Sequence, residues 1–264
     1  MDYENLIRIA VFVFGSMVGS FLNVCIVRMP HEKSIVWPGS HCVYCKKNLS
    51  WFDNIPLLSF IFLRGRCRHC NQKISPRYFI VELLTASLFL VFYLHFGRDI
   101  ILLPYLIMLC GFIVATFIDF GHRIIPDEIS VGGMIMGLLF SLAIPSLHGT
   151  DSHELALGRS ALGVLIGGGS IYAMGILGDW MFKKESMGGG DIKLMAMVGA
   201  FLGWKLAILS FFIAPFLGAI YGIISKLLTK DSTIAYGPFL CLGSLISLFY
   251  GNQIIDYLMR GYIM

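Results

Sequence analysis

Met187-Gly188-Gly189-Gly190-Asp191-Ile192-Lys193 is a short polar break between two apolar runs of helix length. Three successive glycines remove every Cβ just before a carboxylate, so the backbone there can bend sharply and another chain can come close. This stretch decides the fold class, because it sets an acid at or near a membrane boundary. An ionisable group at that depth is costly and marks a functional position. A flexible loop with a solvated Asp explains the heptapeptide equally well. Asp119, which closes another apolar run far upstream, tips the balance.

Working outward, the 264 residues are 57% hydrophobic and 14% charged, with a mean hydropathy of +0.78. A soluble domain is about 45–50% apolar and about 25% charged. The excess is arranged in runs of about 20 residues, the length that crosses a bilayer. The expected fold class is an all-α polytopic membrane protein of about eight helices. Expected spans are 6–27, 79–96, 101–118, 129–147, 160–181, 192–209, 211–228 and 238–258, with the break near Ser210 the least defined. Three parts follow: a first transmembrane helix (1–28), a polar cysteine-bearing loop domain (29–78) and a seven-helix membrane domain (79–264). The first run is too long for a signal-peptide core and is read as an uncleaved span with its N-terminus outside. The net charge of +4 includes no basic stripe, so no nucleic acid is expected as a partner.

Basic residues give the orientation. With the cysteine loop in the cytoplasm, fifteen lysines and arginines fall on that side, including Lys183, Lys184, Lys193, Lys226 and Lys230. Five remain opposite: Arg8, Arg98, Arg159, Lys205 and Arg260. The positive-inside rule thus puts Asp119 and Asp191 at one depth, the cytoplasmic boundary.

Cys42-Val43-Tyr44-Cys45 and Cys67-Arg68-His69-Cys70 are two Cys-x-x-Cys knuckles separated by 21 residues. Each can offer two thiolates to one ion, and together they complete a tetrahedral, structural zinc site. The alternative, two disulfides, conflicts with a reducing cytosol. Lys46, Arg66 and Arg68 would offset the thiolate charge, and His41 and His69 are read as incidental. Cys25, Cys110 and Cys241 fall inside spans and are read as packing residues.

Two facing carboxylates share a proton, so one can act as a base towards water while the other polarises a carbonyl. At a membrane boundary this predicts hydrolysis of a peptide bond beside an apolar helix. An interhelical hydrogen-bonded pair and two unrelated helix caps are the plain alternatives. Asp127, in Ile125-Pro126-Asp127-Glu128, competes for the first position but fits an N-cap.

Several segments carry a resemblance. They are Gly19-Ser20-Phe21-Leu22-Asn23-Val24 with Arg28-Met29-Pro30, Asn54-Ile55-Pro56-Leu57, and Arg77-Tyr78 with Val81-Glu82-Leu83. Ile118-Asp119 through Asp127, Met187 to Leu194, and Tyr236-Gly237-Pro238-Phe239 complete the set. The chain resembles the bacterial prepilin leader peptidases and N-methyltransferases, which are intramembrane aspartic proteases of the Gly-x-Gly-Asp type. The resemblance implies that Asp119 and Asp191 are the catalytic pair and that prepilins or type II secretion pseudopilins are cleaved at the cytoplasmic face of the bacterial inner membrane. It also implies methylation of the exposed Phe amine with S-adenosylmethionine, zinc on Cys42, Cys45, Cys67 and Cys70, and a link between Gly65 and methylation. Phe79 departs from the family pattern, where Pro is common. Membrane lipid is the remaining expected partner. A proton- or cation-coupled transporter using the same two acids is the rival reading, and a non-enzymatic assembly factor is a third.

Other polar residues have ordinary explanations beside the functional ones. Glu82 fits a functional acid or a bundle-facing hydrogen bond, and Lys193 fits a partner of Asp191 or a boundary cation. His122 and Arg123 fit substrate contact or a solvated loop. Gly15, Gly19, Gly163, Gly167, Gly168 and Gly169 are expected to serve close helix packing.

Overall fold

A computed structural model describes residues 3–183, 187–229 and 235–260; Lys184 and Lys230 lie outside these. The described residues are helical, joined by turns and two isolated bridges, with no strand among them. Six helices are long and apolar enough to cross a membrane. The chain divides into two compact units, Met1–Leu102 and Leu103–Met264.

The first unit holds α1 (Tyr3–Arg28), the short α2 (Leu58–Phe62) and α3 (Arg77–Phe96). Lipid supplies no hydrophobic drive for helices to associate, so close backbone approach through small residues has to do it. Gly15 and Gly19 provide that approach. A Cβ on Gly15 would stand 2.9 Å from the Ala86 Cα, and one on Gly19 would stand 2.8 Å from the Glu82 Cα. The opposite side of α1 exposes Leu6, Ile9, Val13, Phe14 and Phe21, which suits an acyl-chain environment. Between α1 and α3 the chain forms the cysteine-bearing segment, where Arg68 bonds Asp53 Oδ1 at 2.7 Å.

The second unit holds α4 (Leu102–His122), α5 (Asp127–Ala143), α6 (His153–Phe182), α7 (Gly189–Thr229) and α8 (Gly237–Arg260). α4 is its most enclosed helix, burying Met108, Leu109, Phe112, Ile113, Val114, Ala115 and Ile118.

α7 contains the main departure from expectation. Its 41 residues are interrupted at Gly203, whose φ of 76° and ψ of 170° are not helical. The chain folds back there. Gly167 of α6 lies against the Met195 carbonyl, and a Cβ on it would also stand 3.5 Å from the Ala207 Cβ. In one straight helix residues 195 and 207 would be about 18 Å apart. The two arms therefore run side by side, as two expected spans required, but the turn lies at Gly203 and not near Ser210. Ser210 sits within the second arm, with its hydroxyl returned to the Leu206 carbonyl at 2.7 Å. A left-handed φ favours glycine, and the other sign of a break beside Gly203 is the Trp204-Lys205 pair that follows it.

His148 faces this reversal, its Nδ1 3.3 Å from where a Gly203 Cβ would stand. Its Nε2 pairs with Ser141 Oγ at 2.8 Å, and Ser160 donates to the Ala200 carbonyl at 2.8 Å. The Ser160 bond occupies a carbonyl that the interrupted helix leaves free.

Gly163 and Gly199 meet backbone to backbone, so neither position has room for a side chain. Overpacking usually costs about 1–3 kcal/mol, and here the obstacle is main chain. Gly199→Val is expected to lower the melting temperature in detergent markedly. Gly169→Val, where no atom lies within 4 Å, should leave it nearly unchanged.

Candidate active site

The site is built where the α4–α5 connection meets the starts of α7 and α8. α4 ends because Arg123 adopts a left-handed φ of 57°, its N–H closing on the Asp119 carbonyl at 2.9 Å. The next residues carry Ile125, which is buried, between two glycines. A Cβ on Gly190 would stand 3.1 Å from the Ile125 Cβ, and one on Gly237 would stand 3.1 Å from the Ile125 Cδ1. Both glycines are therefore required by packing. Gly189 has open space beside it, so a side chain there would meet no neighbour.

Asp119 is 6% exposed. It accepts the Gly237 N–H on Oδ2 at 2.9 Å, a bond made at the first turn of α8, where free N–H groups favour an anion. Asp191, in the first turn of α7, accepts from the Gly188 N–H and lies within Coulombic range of Asp119. Both carboxylates line one cavity of about 370 Å³, together with Arg123, Met187, Gly188 and Tyr236. Burial, with the nearby Asp191 charge, pushes the Tyr236 phenol up to about 12. The hydroxyl keeps its proton at neutral pH and remains a donor. The site thus offers two carboxylates within Coulombic range of each other, a cation and a phenol around one cavity.

The remaining candidates separate clearly. Asp127 is not an N-cap: Pro126 holds that position without a side-chain bond, and Asp127 is the first residue of α5. Its carboxylate accepts from Lys193 Nζ at 2.7 and 2.8 Å, which assigns Lys193 to Asp127. This pair ties the start of α5 to the start of α7. Arg123 lines the cavity and acts on Asp119 electrostatically, a placement the solvated-loop reading missed. Tyr236 lies in a quoted motif but had no role. Nothing in the residue pattern marks the Gly237 N–H as the donor to Asp119.

In the first unit Cys42, Cys45, Cys67 and Cys70 bring their Sγ atoms within 4.8 Å of one another. Cys42–Cys70 is 3.8 Å and Cys45–Cys67 is 4.0 Å. A tetrahedral ion with metal–sulfur bonds of 2.3 Å has S···S edges of about 3.8 Å, so the group could hold such an ion. The knuckles repeat each other. Cys42 and Cys67 accept from Lys46 and Asn71 through their carbonyls at 2.9 Å, and Lys46 and Asn71 are both left-handed. N–H groups of Cys70 and His69 aimed at the Cys67 sulfur pull its thiol down to about 6. All four cysteines are free thiols. His41 turns instead to the Gly39 carbonyl at 2.9 Å. Arg68, expected near the thiolates, points its guanidinium at Asp53.

Gly65 has a φ of 65°, and a Cβ on it would stand 3.0 Å from Phe60. Phe60 in turn packs on Phe79 of α3, ring centroids 5.4 Å apart. Glycine is needed here for backbone shape between α2 and the second knuckle. Glu82, 8% exposed on α3, accepts the Leu57 N–H at 2.8 Å and the Ser20 hydroxyl. A second cavity, of about 330 Å³, lies within this unit along Met17, Ser20, Phe21, Val24 and Arg28 of α1.

Residues 13–96 match the bacterial peptidase A24 N-terminal domain, and residues 106–223 match the type IV leader peptidase family. A "Prepilin leader peptidase/N-methyltransferase" of Myxococcus xanthus is 42% identical over 86% of this chain and 65% of its own length. The chain thus spans about two thirds of that relative. A protein of the same name from Legionella pneumophila is 33% identical over 97% of this chain and 96% of its own. One from Bacillus subtilis is 31% identical over 94% and 96%. No solved structure matches.

The four thiolates predict a metal content near one ion per chain by elemental mass spectrometry. Cys67→Ser is expected to lower that content to near zero, because three ligands leave a structural site open.

Proposed function

The chain belongs to the type IV leader peptidase family, and from that membership we propose that it removes the leader from prepilins and N-methylates the new N-terminus. The observation that carries the hydrolytic half is the pair Asp119 and Asp191, delivered by α4 and α7 to one cavity, each holding a backbone N–H. Two carboxylates on one cavity cannot both ionise cheaply. The ionised one takes a proton from water as that water attacks the scissile carbonyl. The protonated one donates to the carbonyl oxygen, and the tetrahedral centre collapses as the amine leaves with a proton. Buried donors already in place spare reorganisation at the moment of reaction.

The finer reading follows the same line. α5 and both arms of α7 each cross the bilayer, which makes eight crossings with α1, α3, α4, α6 and α8. The acids face the cytoplasm at the inner membrane of a bacterium, where the excess of lysine and arginine lies. Within unit 2, Arg159 and Lys205 flank the His148–Gly203 end, away from the acids, as that orientation requires. The functional parts are 1–28, 29–78 and 79–264. The substrate is a prepilin or type II secretion pseudopilin with a basic leader, a Gly-Phe junction and an apolar helix in lipid. Zinc is held by Cys42, Cys45, Cys67 and Cys70, the soft thiolate set that suits it. It fixes the loop in which Gly65 supports methylation by shaping the backbone. S-adenosylmethionine, when bound, supplies the electrophilic methyl group. The transporter reading loses its ground, since relatives aligned over most of the chain are named peptidases and methyltransferases.

Incubation of purified protein with a prepilin is expected to yield a shortened product by mass. Asp119→Asn or Asp191→Asn should each slow cleavage by about 10⁴-fold or more; unchanged cleavage in either variant removes that residue from the mechanism. Gly190→Val and Gly237→Ala should each lose about 10²-fold through displacement of the acids. Gly189→Ala should cleave within about threefold of wild type, since its side chain meets no neighbour.

A further inference from the structure

The first unit carries apolar surface that neither the acids nor the knuckles use. Residues 51–62, between the two knuckles, read Trp-Phe-Asp-Asn-Ile-Pro-Leu-Leu-Ser-Phe-Ile-Phe. Trp51 is 80% exposed and Phe62 79%, with Leu58 and Ile61 at least half exposed. Apolar surface gathered in this way marks a contact with membrane or protein.

We propose that residues 51–62 form a re-entrant element immersed in the cytoplasmic leaflet, its exposed face covered by acyl chains and its basic flank by anionic headgroups. This goes beyond the cleavage and methylation reading and rests only on α3 crossing the bilayer as oriented above.

Depth singles out lipid. Arg77 and Arg98 bracket α3, whose 20 residues rise about 30 Å, the full thickness of the hydrocarbon layer. It has no length to spare, so its first residues already stand at the lipid boundary. The segment is fastened to α3 beyond that start. Phe60 packs on Phe79, ring centroids 5.4 Å apart, at a level about 3 Å along the helix from Arg77. The Leu57 N–H reaches the Glu82 carboxyl at 2.8 Å, about 8 Å along it. Glu82 also bonds Ser20, which lies about 12 Å before the end of α1 at Arg28. Both helices thus put Leu57 inside the layer and not above it. A chain that enters at Trp51 and leaves at Arg64 on the same side is re-entrant.

Its polar groups suit that depth. Non-helical backbone within a membrane persists only where protein partners take its hydrogen bonds. Leu57 has a positive φ of 63°, and Glu82, which can accept with or without a proton, takes its N–H. The N–H and hydroxyl of Ser59 both return to the Ile55 carbonyl. Asp53, the only charged residue of the segment, has a side chain 3% exposed and closed by Arg68 at 2.7 Å. Arg64 and Arg66 follow the segment and are exposed. Cations beside an apolar face match anionic headgroups beside acyl chains. Trp51 suits the headgroup level, where indole rings collect. Arg64 and Gly65 end α2 and lead directly to Cys67, so the second knuckle stands on the membrane surface.

The test is tryptophan fluorescence of the full-length protein in vesicles of phosphatidylcholine and phosphatidylglycerol, with and without bromine on the acyl chains. Trp37, Trp180 and Trp204 are changed to Phe, which leaves Trp51 as the reporter. A second protein adds Trp51→Phe and Phe62→Trp, and a third adds Trp51→Phe and Leu84→Trp on the exposed side of α3. Melting temperatures check that each is folded. Immersion by about 5–10 Å predicts that brominated lipid lowers emission about twofold or more at positions 51 and 62, as at 84, while aqueous iodide has little effect. Iodide quenching at position 62 without quenching by brominated lipid places the segment in water and overturns the proposal. Quenching by neither places it under another protein surface and also overturns it. Should position 84 escape brominated lipid as well, α3 does not cross the bilayer, and the membrane reading fails together with the proposal. None of these readouts depends on cleavage or methylation.

Discussion

The arrangement of the second unit depends on one side chain, Ile125, lodged against two glycines. Gly190 lies in the first turn of the helix that carries Asp191, and Gly237 begins the helix whose first N–H holds Asp119. The isoleucine thereby sets the spacing of three chain segments at once. An apolar wedge is well suited to this, since it makes no hydrogen bond that could compete for the carboxylates. The acids take their donors from backbone N–H groups, which cannot rotate away as a hydroxyl can. A carboxylate pair in so dry a setting has few other ways to keep a fixed geometry.

What the residue pattern made legible follows from the reach of each signal. The two knuckles were readable because a Cys-x-x-Cys turn is local: four thiols converge once two identical turns meet. The acids were readable because membrane-length runs fix depth, and depth alone brought Asp119 and Asp191 to one level. Depth says nothing about which residues touch, so Arg123 read as a substrate contact or a loop cation and the Gly237 N–H was invisible. Asp127 read as a helix cap from its position before an apolar run, yet its proline neighbour took that place and Lys193 claimed its carboxylate. The reversal at Gly203 was hidden for a different reason. One glycine in a largely apolar run looks the same whether it eases helix packing or turns the chain around, and Lys205 beside it counted only towards orientation.

The two units also show how one kind of side chain is put to different uses by its neighbours. Asp119 and Asp191 have each other, within Coulombic range on one cavity. Glu82 has two neutral donors and no partner acid. Each carboxylate faces or backs onto a cavity inside its own unit, and each owes its placement to a glycine crossing: Gly19 against the Glu82 backbone, Gly190 and Gly237 against Ile125. Close backbone approach is thus the common device by which this chain brings costly groups into apolar surroundings.

The turn at Gly203 leaves the arm bearing Asp191 with the fourteen residues from Gly189. Such an arm rises about 21 Å, while a hydrocarbon layer is about 30 Å thick. α5, packed beside it with 17 residues, reaches about 25 Å. If both cross the bilayer as proposed, lipid next to these two undersized neighbours would have to thin or admit headgroups. A dimple of that kind would shorten the path for water to the carboxylates, and a peptide would not have to be pulled through the full oily depth to reach them.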